Sequence, residues 1–225
     1  MLKTILFDID NTLLSFDGYV KKAMHDGFQK YGLRAYAPWM FDVFTKHNIR
    51  LWSAVERGEL TLAELEKVRW NDIFHELQIE FDGEVFEDYF KAELCESAMV
   101  IDGARELLEA LSGRYRLCVA SNGPLDQQAR RLTIAGLRDY FEALFVSEEI
   151  GCNKPAPAFF ETCLRRLGNA PNEVLMVGDS LSSDILGGIR AGLQTCFYNP
   201  HGKPVPASLS VNYTVRSLRE LADLL

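Results

Sequence analysis

A doubly wound α/β fold, a parallel sheet with helices on both faces and a helical module inserted after its first strand, is the class this sequence predicts. Three observations carry that expectation. Short apolar runs recur along the chain and each ends in polar residues; helical patterns separate them; and the alternation stops across residues 16–96, where apolar residues keep helical spacing. Parallel strands need crossover connections and are buried on both faces, so they read as continuous apolar runs between helices.

The first run is Ile5, Leu6 and Phe7, ending at Asp8. In the insert, Phe16, Val20, Met24, Phe28 and Tyr31 share one helical face, and Phe41, Phe44, Leu51 and Val55 share another. Pro38 suits a first helical turn, Thr61 with Glu64 forms a capping box, and Asp82 can cap a fourth helix carrying Val85, Phe86, Tyr89, Phe90 and Leu94. An antiparallel helical bundle follows. Leaving after the first strand and returning near Val100, it is expected to hang over the strand ends as a lid. The expected domains are 1–15 with 97–225, and 16–96.

The later runs are 117–120 into Ser121, Asn122 and Gly123; 143–146 into Ser147; 174–177 into Gly178, Asp179 and Ser180; and 196–198 before Asn199. Helices are expected at 104–111, 127–135, 158–167 and 183–191, with right-handed crossovers. Ligands in such sheets bind beyond the carboxyl ends of the strands, where these polar residues gather.

Composition narrows the function. With 48% hydrophobic and 25% charged residues among 225, the chain resembles an ordinary globular protein. A net charge of −8 repels nucleic-acid polymers and anionic lipid surfaces, yet a local cation can still admit a small anion. Five scattered cysteines without a C-x-x-C spacing fit neither a disulfide framework nor a zinc cage. The N-terminal residues reach Asp8 without a signal-peptide pattern, and no apolar run has membrane-spanning length, so the expected location is the cytoplasm.

Four polar clusters carry the chemistry. Asp8 and Asp10 at a strand end can share a hard divalent cation, one attacking phosphorus while the other works as acid and base; a D-x-D is also a common solvated turn. Ser121 and Asn122 can donate to phosphoryl oxygens, with Gly123 allowing close approach, or simply form a turn. Lys154 before Pro155 can offset charge, or be one more surface lysine. Asp179 can complete a metal site, and Asp184 can support it or orient Lys154, or cap a helix. Gly187, Gly188 and Gly192 suit close helix–sheet packing. Four such clusters in this order, each directly after a strand, rarely arise by chance.

In this order the clusters resemble the haloacid dehalogenase superfamily, matching D-x-D-x-T, then Ser, then Lys, then Gly-Asp with a later Asp across the whole chain. The resemblance implies a Rossmann-like core with a helical cap, and magnesium as cofactor. It implies Asp8 as nucleophile and metal ligand, Asp10 as metal ligand through its carbonyl and as acid and base, and Ser121 and Asn122 as phosphate holders. Lys154 is implied as a charge-offsetting catalytic and phosphate-binding group, Asp179 as a metal ligand and Asp184 as its support. The expected activity is hydrolysis of small phosphate monoesters through an aspartyl-phosphate.

Residues 51–61 and the pair Arg69 and Trp70 look like the cap of the 5′-nucleotidase branch, which suggests a nucleoside monophosphate contacted by an aromatic ring or Arg69. The many aromatic side chains of the insert also read as bundle core. A sugar phosphatase or a β-phosphoglucomutase-like phosphotransferase shares the core motifs, and a phosphate-sensing or partner-binding domain shares the fold. Dehalogenation needs no second carboxylate such as Asp10. The expected partner is a small phosphate monoester, with no nucleic-acid polymer or membrane, and monomer and homodimer both stay open.

Overall fold

The computed structural model describes residues 1–225. In chain order it comprises β1 (Thr4–Phe7), α1 (Phe16–Lys30), α2 (Trp39–Glu56), α3 (Leu62–Leu77), α4 (Gly83–Cys95), α5 (Ala104–Leu111), β2 (Arg116–Ser121) and α6 (Leu125–Ile134). There follow β3 (Ala143–Val146), α7 (Ser147–Ile150), α8 (Pro157–Leu167), β4 (Val174–Gly178), α9 (Leu186–Arg190), β5 (Gln194–Tyr198), β6 (Tyr213–Val215) and α10 (Leu218–Leu224). The chain divides into two compact units, Met1–Ser15 with Ala98–Leu225, and Phe16–Ser97. No helix is long and apolar enough to cross a membrane.

In the first unit six strands form one sheet in the order β3-β2-β1-β4-β5-β6, and every neighbouring pair is parallel. This is the predicted class. Alternate residues of each strand face opposite sides, as the pleat requires. Ile5, Phe7, Leu117, Val119, Leu175 and Val177 pack on α5, α6 and α10 through Leu107, Leu108, Leu132, Leu218 and Leu221. Leu6, Cys118, Ala120 and Met176 pack on Phe159, Phe160 and Cys163 of α8. Burial on both faces is why the strands read as unbroken apolar runs.

α9 lies close on the sheet at Gly188 and close on Phe160 of α8 at Gly187, neither of which has a side chain to hold it off. A Cβ at Gly188 would press on Thr195 Cγ2 at 2.8 Å and on Met176 Cβ at 3.3 Å. Gly188→Ala is therefore expected to overpack this layer and lower stability by about 1–3 kcal/mol, read as a reduced midpoint in urea. A midpoint equal to that of the parent would contradict this packing account.

The structure departs from expectation at several places. The helix expected at 183–191 opens with a π turn over Leu181–Ile185 before α9 begins. The edge strand β6, the terminal helix α10 and the single turn α7 were not anticipated. All five cysteines are free, and Cys118, Cys163 and Cys196 are buried.

The second unit consists of α1 to α4. Its core is aromatic: Trp70 lies 4.4 Å from Phe86 and 5.3 Å from Phe90 between ring centroids, with Phe44, Phe74 and Phe28 around them. The predicted caps form, Thr61 with Glu64 as a reciprocal box and Asp82 accepting from the Glu84 backbone. Val85, expected on the buried face of α4, is exposed instead. Arg69 also departs from expectation: rather than being available to a base or sugar, it is buried and donates to Glu87 at 3.1 and 2.5 Å and to Asn48 at 3.1 Å. Burial pushes the Glu87 carboxyl above its ordinary range while Arg69 pulls it down, so the pair exists because neither charge is tolerable alone inside the bundle.

Candidate active site

Sheet register brings the predicted residues to one edge. Phe7 pairs with Val119 on one side and Val177 on the other, so Asp8, Ala120 and Gly178 come level as the three central strands end. The Asp8 amide still donates to Val177 at 2.9 Å, which fixes its backbone before the chain turns. The turn closes through Ile9, whose carbonyl accepts from Thr12, Leu13 and Leu14. Asn11 takes a left-handed φ of 59°, a conformation that asparagine tolerates better than most residues. Thr12, buried behind the turn, holds Asp8 Oδ2 by a long contact of 3.4 Å.

Lys154 enters from the loop before α8 and is buried. Its three ammonium hydrogens have three acceptors: Asp8 Oδ1 at 2.8 Å, Asp184 Oδ1 at 2.6 Å and the Ala120 carbonyl at 2.6 Å. Its backbone is held just as firmly, the amide donating to Asn122 Oδ1 at 2.8 Å and the carbonyl accepting from Asn122 Nδ2 at 3.0 Å. Asn122, expected to grip a phosphoryl oxygen with its amide, thus uses that amide to place the lysine. The Lys154–Pro155 peptide is cis.

Asp184 stands inside the π turn rather than capping it. Ser180 supplies the cap, its Oγ accepting from the Ser183 amide at 3.2 Å. Asp184 Oδ2 accepts from the Ser180 amide at 3.1 Å while Oδ1 takes the lysine. Gly178 has no side chain because a Cβ there would collide with this carboxylate. Carboxylate oxygens of Asp8, Asp179 and Asp184 lie within 4.8 Å of one another. Asp184, expected behind the metal ligands, is therefore one of the clustered acids.

Charge explains how these groups behave together. Three carboxylates cluster, two of them bonded to the Lys154 ammonium, which leaves the four groups an excess of two negative charges if all are ionised. Burial pushes the Asp8 carboxyl up to about 7, against the pull of Lys154 and with the repulsion of Asp184 and Asp10 added. Burial alone would lower the Lys154 ammonium, but Asp184 and Asp8 raise it above its ordinary value. The protein's own charges thus leave the cluster short of positive charge, and hard oxygen donors with that deficit fit a divalent cation such as magnesium.

Asp10 lies beside this centre on a second set of contacts. Its Oδ1 accepts from Arg131 Nη1 at 2.7 Å and its Oδ2 from Gln128 Nε2 at 2.9 Å. The same Gln128 nitrogen donates to Ser121 Oγ at 3.0 Å, and that oxygen also accepts from the Gly123 amide at 3.1 Å. Gln128 and Arg131 escaped the sequence reading. The available signal was a polar pair three residues apart on the apolar face of α6, next to buried Leu132.

Comparison with known proteins agrees with this geometry. A family model for haloacid dehalogenase-like hydrolases matches residues 2–192. The pyrimidine 5′-nucleotidase YjjG of Escherichia coli (strain K12) is 36% identical over 222 residues, covering 98% of this chain and 96% of its own. The pyrimidine 5′-nucleotidase PynA of Streptococcus pneumoniae is 33% identical over 225 residues, covering 99% of this chain and 94% of its own. Among solved structures, the HAD-hydrolase YfnB from Bacillus subtilis, bound to magnesium, matches with a TM-score of 0.91 at 33% identity, covering 100% of this chain and 98% of that one.

Proposed function

The chain belongs to the haloacid dehalogenase-like hydrolases, and from that premise we propose that it is a magnesium-dependent nucleoside 5′-monophosphate phosphatase working through an aspartyl-phosphate on Asp8. The observation that carries this reading is the convergence of the Asp8, Asp179 and Asp184 carboxylates, with Asp8 and Asp184 bonded to the Lys154 ammonium. Resemblance to the two pyrimidine 5′-nucleotidases over nearly the full length favours a pyrimidine nucleotide as substrate. The helical unit is assigned the part of a cap in which substrate choice resides.

Asp8, Asp179 and the Asp10 carbonyl would hold the metal, with Asp184 supporting them or joining the shell. When bound, magnesium would supply the positive charge that lets an anionic nucleophile approach an anionic phosphate. The chain's own groups do the rest. Asp8, backbone-fixed at the strand end, attacks phosphorus in line as the bond to the leaving oxygen breaks, and Asp10 gives that oxygen a proton. Water then attacks the aspartyl-phosphate, returns a proton to Asp10, and frees Asp8 and inorganic phosphate. The Ser121 hydroxyl, already accepting two N–H donors, keeps its own hydrogen for a phosphoryl oxygen. Lys154 offsets charge, and Asn122 serves by placing it.

Hydrolysis of a panel of nucleotide and sugar monophosphates tests the reading. Pyrimidine nucleoside 5′-monophosphates are expected to be turned over best, only with magnesium, and chelation is expected to abolish turnover. Good hexose phosphates beside poor nucleotides would overturn the nucleotidase assignment and leave the core chemistry standing.

Acid should weaken magnesium binding. Asp8 keeps its proton up to about 7 in the metal-free site, so binding displaces that proton below this pH. Affinity is expected to level off above it and to fall by up to about tenfold per pH unit below it. Calorimetric titration at several pH values measures this, and an affinity flat from pH 5 to 8, roughly the span on either side of that value, would contradict it.

A further inference from the structure

The phosphohydrolase reading leaves two buried polar residues unassigned, Gln128 and Arg131 of α6, which are 0% and 1% exposed. We propose that this pair positions Asp10 for proton transfer and ties it to the hydroxyl of Ser121. The inference rests on the function proposed above and adds two residues to its machinery.

Stability alone is a poor reason for these residues. α6 packs on the sheet through Leu132, and an apolar side chain beside it would avoid the cost of burying a guanidinium. Arg131 carries that cost with its Nε lacking any partner, while Nη1 reaches Asp10 Oδ1 at 2.7 Å and Gln128 Oε1 at 2.9 Å. Imperfectly satisfied buried charge is commonest where a group has work to do.

The orientation of Gln128 follows from Arg131. Because its Oε1 accepts from the guanidinium, its Nε2 must face the other way, and the two hydrogens there meet Asp10 Oδ2 at 2.9 Å and Ser121 Oγ at 3.0 Å. Gly123 makes the room: a Cβ on it would lie 3.0 Å from Gln128 Cδ and closer still to the amide nitrogen. The glycine after Ser121 and Asn122 thus admits this glutamine.

A division of labour between the carboxylate oxygens follows. Arg131 pins Oδ1, and Oδ2, held only by the shared amide, is the oxygen that carries the proton. In the first step the Asp8 oxygen–phosphorus bond forms, the bond to the leaving oxygen breaks, and the Oδ2 proton passes to that oxygen. In the second, the water oxygen bonds to phosphorus, the bond to Asp8 breaks, and a water proton returns to Oδ2. Loss of the cradle therefore slows proton transfer and leaves substrate association alone.

The test compares two esters on the same preparation of full-length Arg131→Met or Gln128→Met protein with magnesium. A nucleoside 5′-monophosphate needs a protonated leaving group; para-nitrophenyl phosphate does not. The ratio of their rates is independent of how much of the sample is folded. For the nucleotide, kcat is expected to fall about 10²-fold with KM held within about twofold. With para-nitrophenyl phosphate a burst of one nitrophenolate per site is expected, followed by slow turnover, and Arg131→Lys should restore part of the kcat lost on the nucleotide. Parallel losses on both esters without a burst, or a raised KM with kcat kept, would overturn the positioning role. Parent protein that hydrolyses neither ester would overturn the phosphatase reading itself, and this role with it.

Discussion

Asp8→Asn is expected to remove turnover by roughly four orders of magnitude or more, the scale at which enzymes lose a nucleophile, while the fold persists. Asparagine has the same shape, and Lys154 retains Asp184 and the Ala120 carbonyl as acceptors. The stability effect has a definite sign. Burial raises the Asp8 carboxyl to about 7, above its value in an unfolded chain, so the native state binds this proton more tightly. Stability conferred by that proton is present at low pH and lost as pH rises through 7. The asparagine variant escapes the loss, and without magnesium it should melt no lower than the parent at pH 8. Residual turnover within about tenfold of the parent would refute Asp8 as nucleophile.

Lys154→Met should be the change most damaging to stability, and it should slow the reaction as well. The ammonium is the sole cation bonded to Asp8 and Asp184, and it also fills the Ala120 carbonyl. Removing one partner of a buried pair typically costs about 3–5 kcal/mol, because the charges left behind stay buried. Thermal melting is expected to show this loss, and magnesium should recover part of it by replacing the missing charge. Turnover in the folded fraction should fall by about 10²–10³-fold, as for loss of one preorganised electrostatic group. Arginine should rescue poorly, since a planar fork does not reproduce three donors converging from one nitrogen. Unchanged melting with unchanged rate would mean that Lys154 is no part of the centre.

What could be read in advance follows a physical divide. The central strands announced themselves because burial on both faces demands unbroken apolar runs, and the polar residues ending them are where Asp8, Ser121 and Asp179 stand. β6 was silent: three residues at the sheet edge, of which only Val215 is buried, produce no pattern. Asp184 was ambiguous because an acid near a helix start usually caps it, and only the π turn shows Ser180 doing so. Asn122 was legible as a polar strand-end residue, yet its partner lies 32 positions away in the Lys154 backbone. Gln128 and Arg131 are 118 and 121 positions from Asp10, a pairing that only the register of β1 against β2 creates. Arg69 followed the same rule in the helical unit, where Glu87 claims it.

The central claim is that Asp8 carries the phosphoryl group between the two halves of the reaction. Rapid acid quench of a single turnover, with the protein digested and its peptides weighed, addresses this directly. The account predicts a transient phosphoryl adduct on the peptide containing Asp8, absent in Asp8→Asn. Phosphate release with no such adduct at any quench time, or an adduct on another residue, would contradict it.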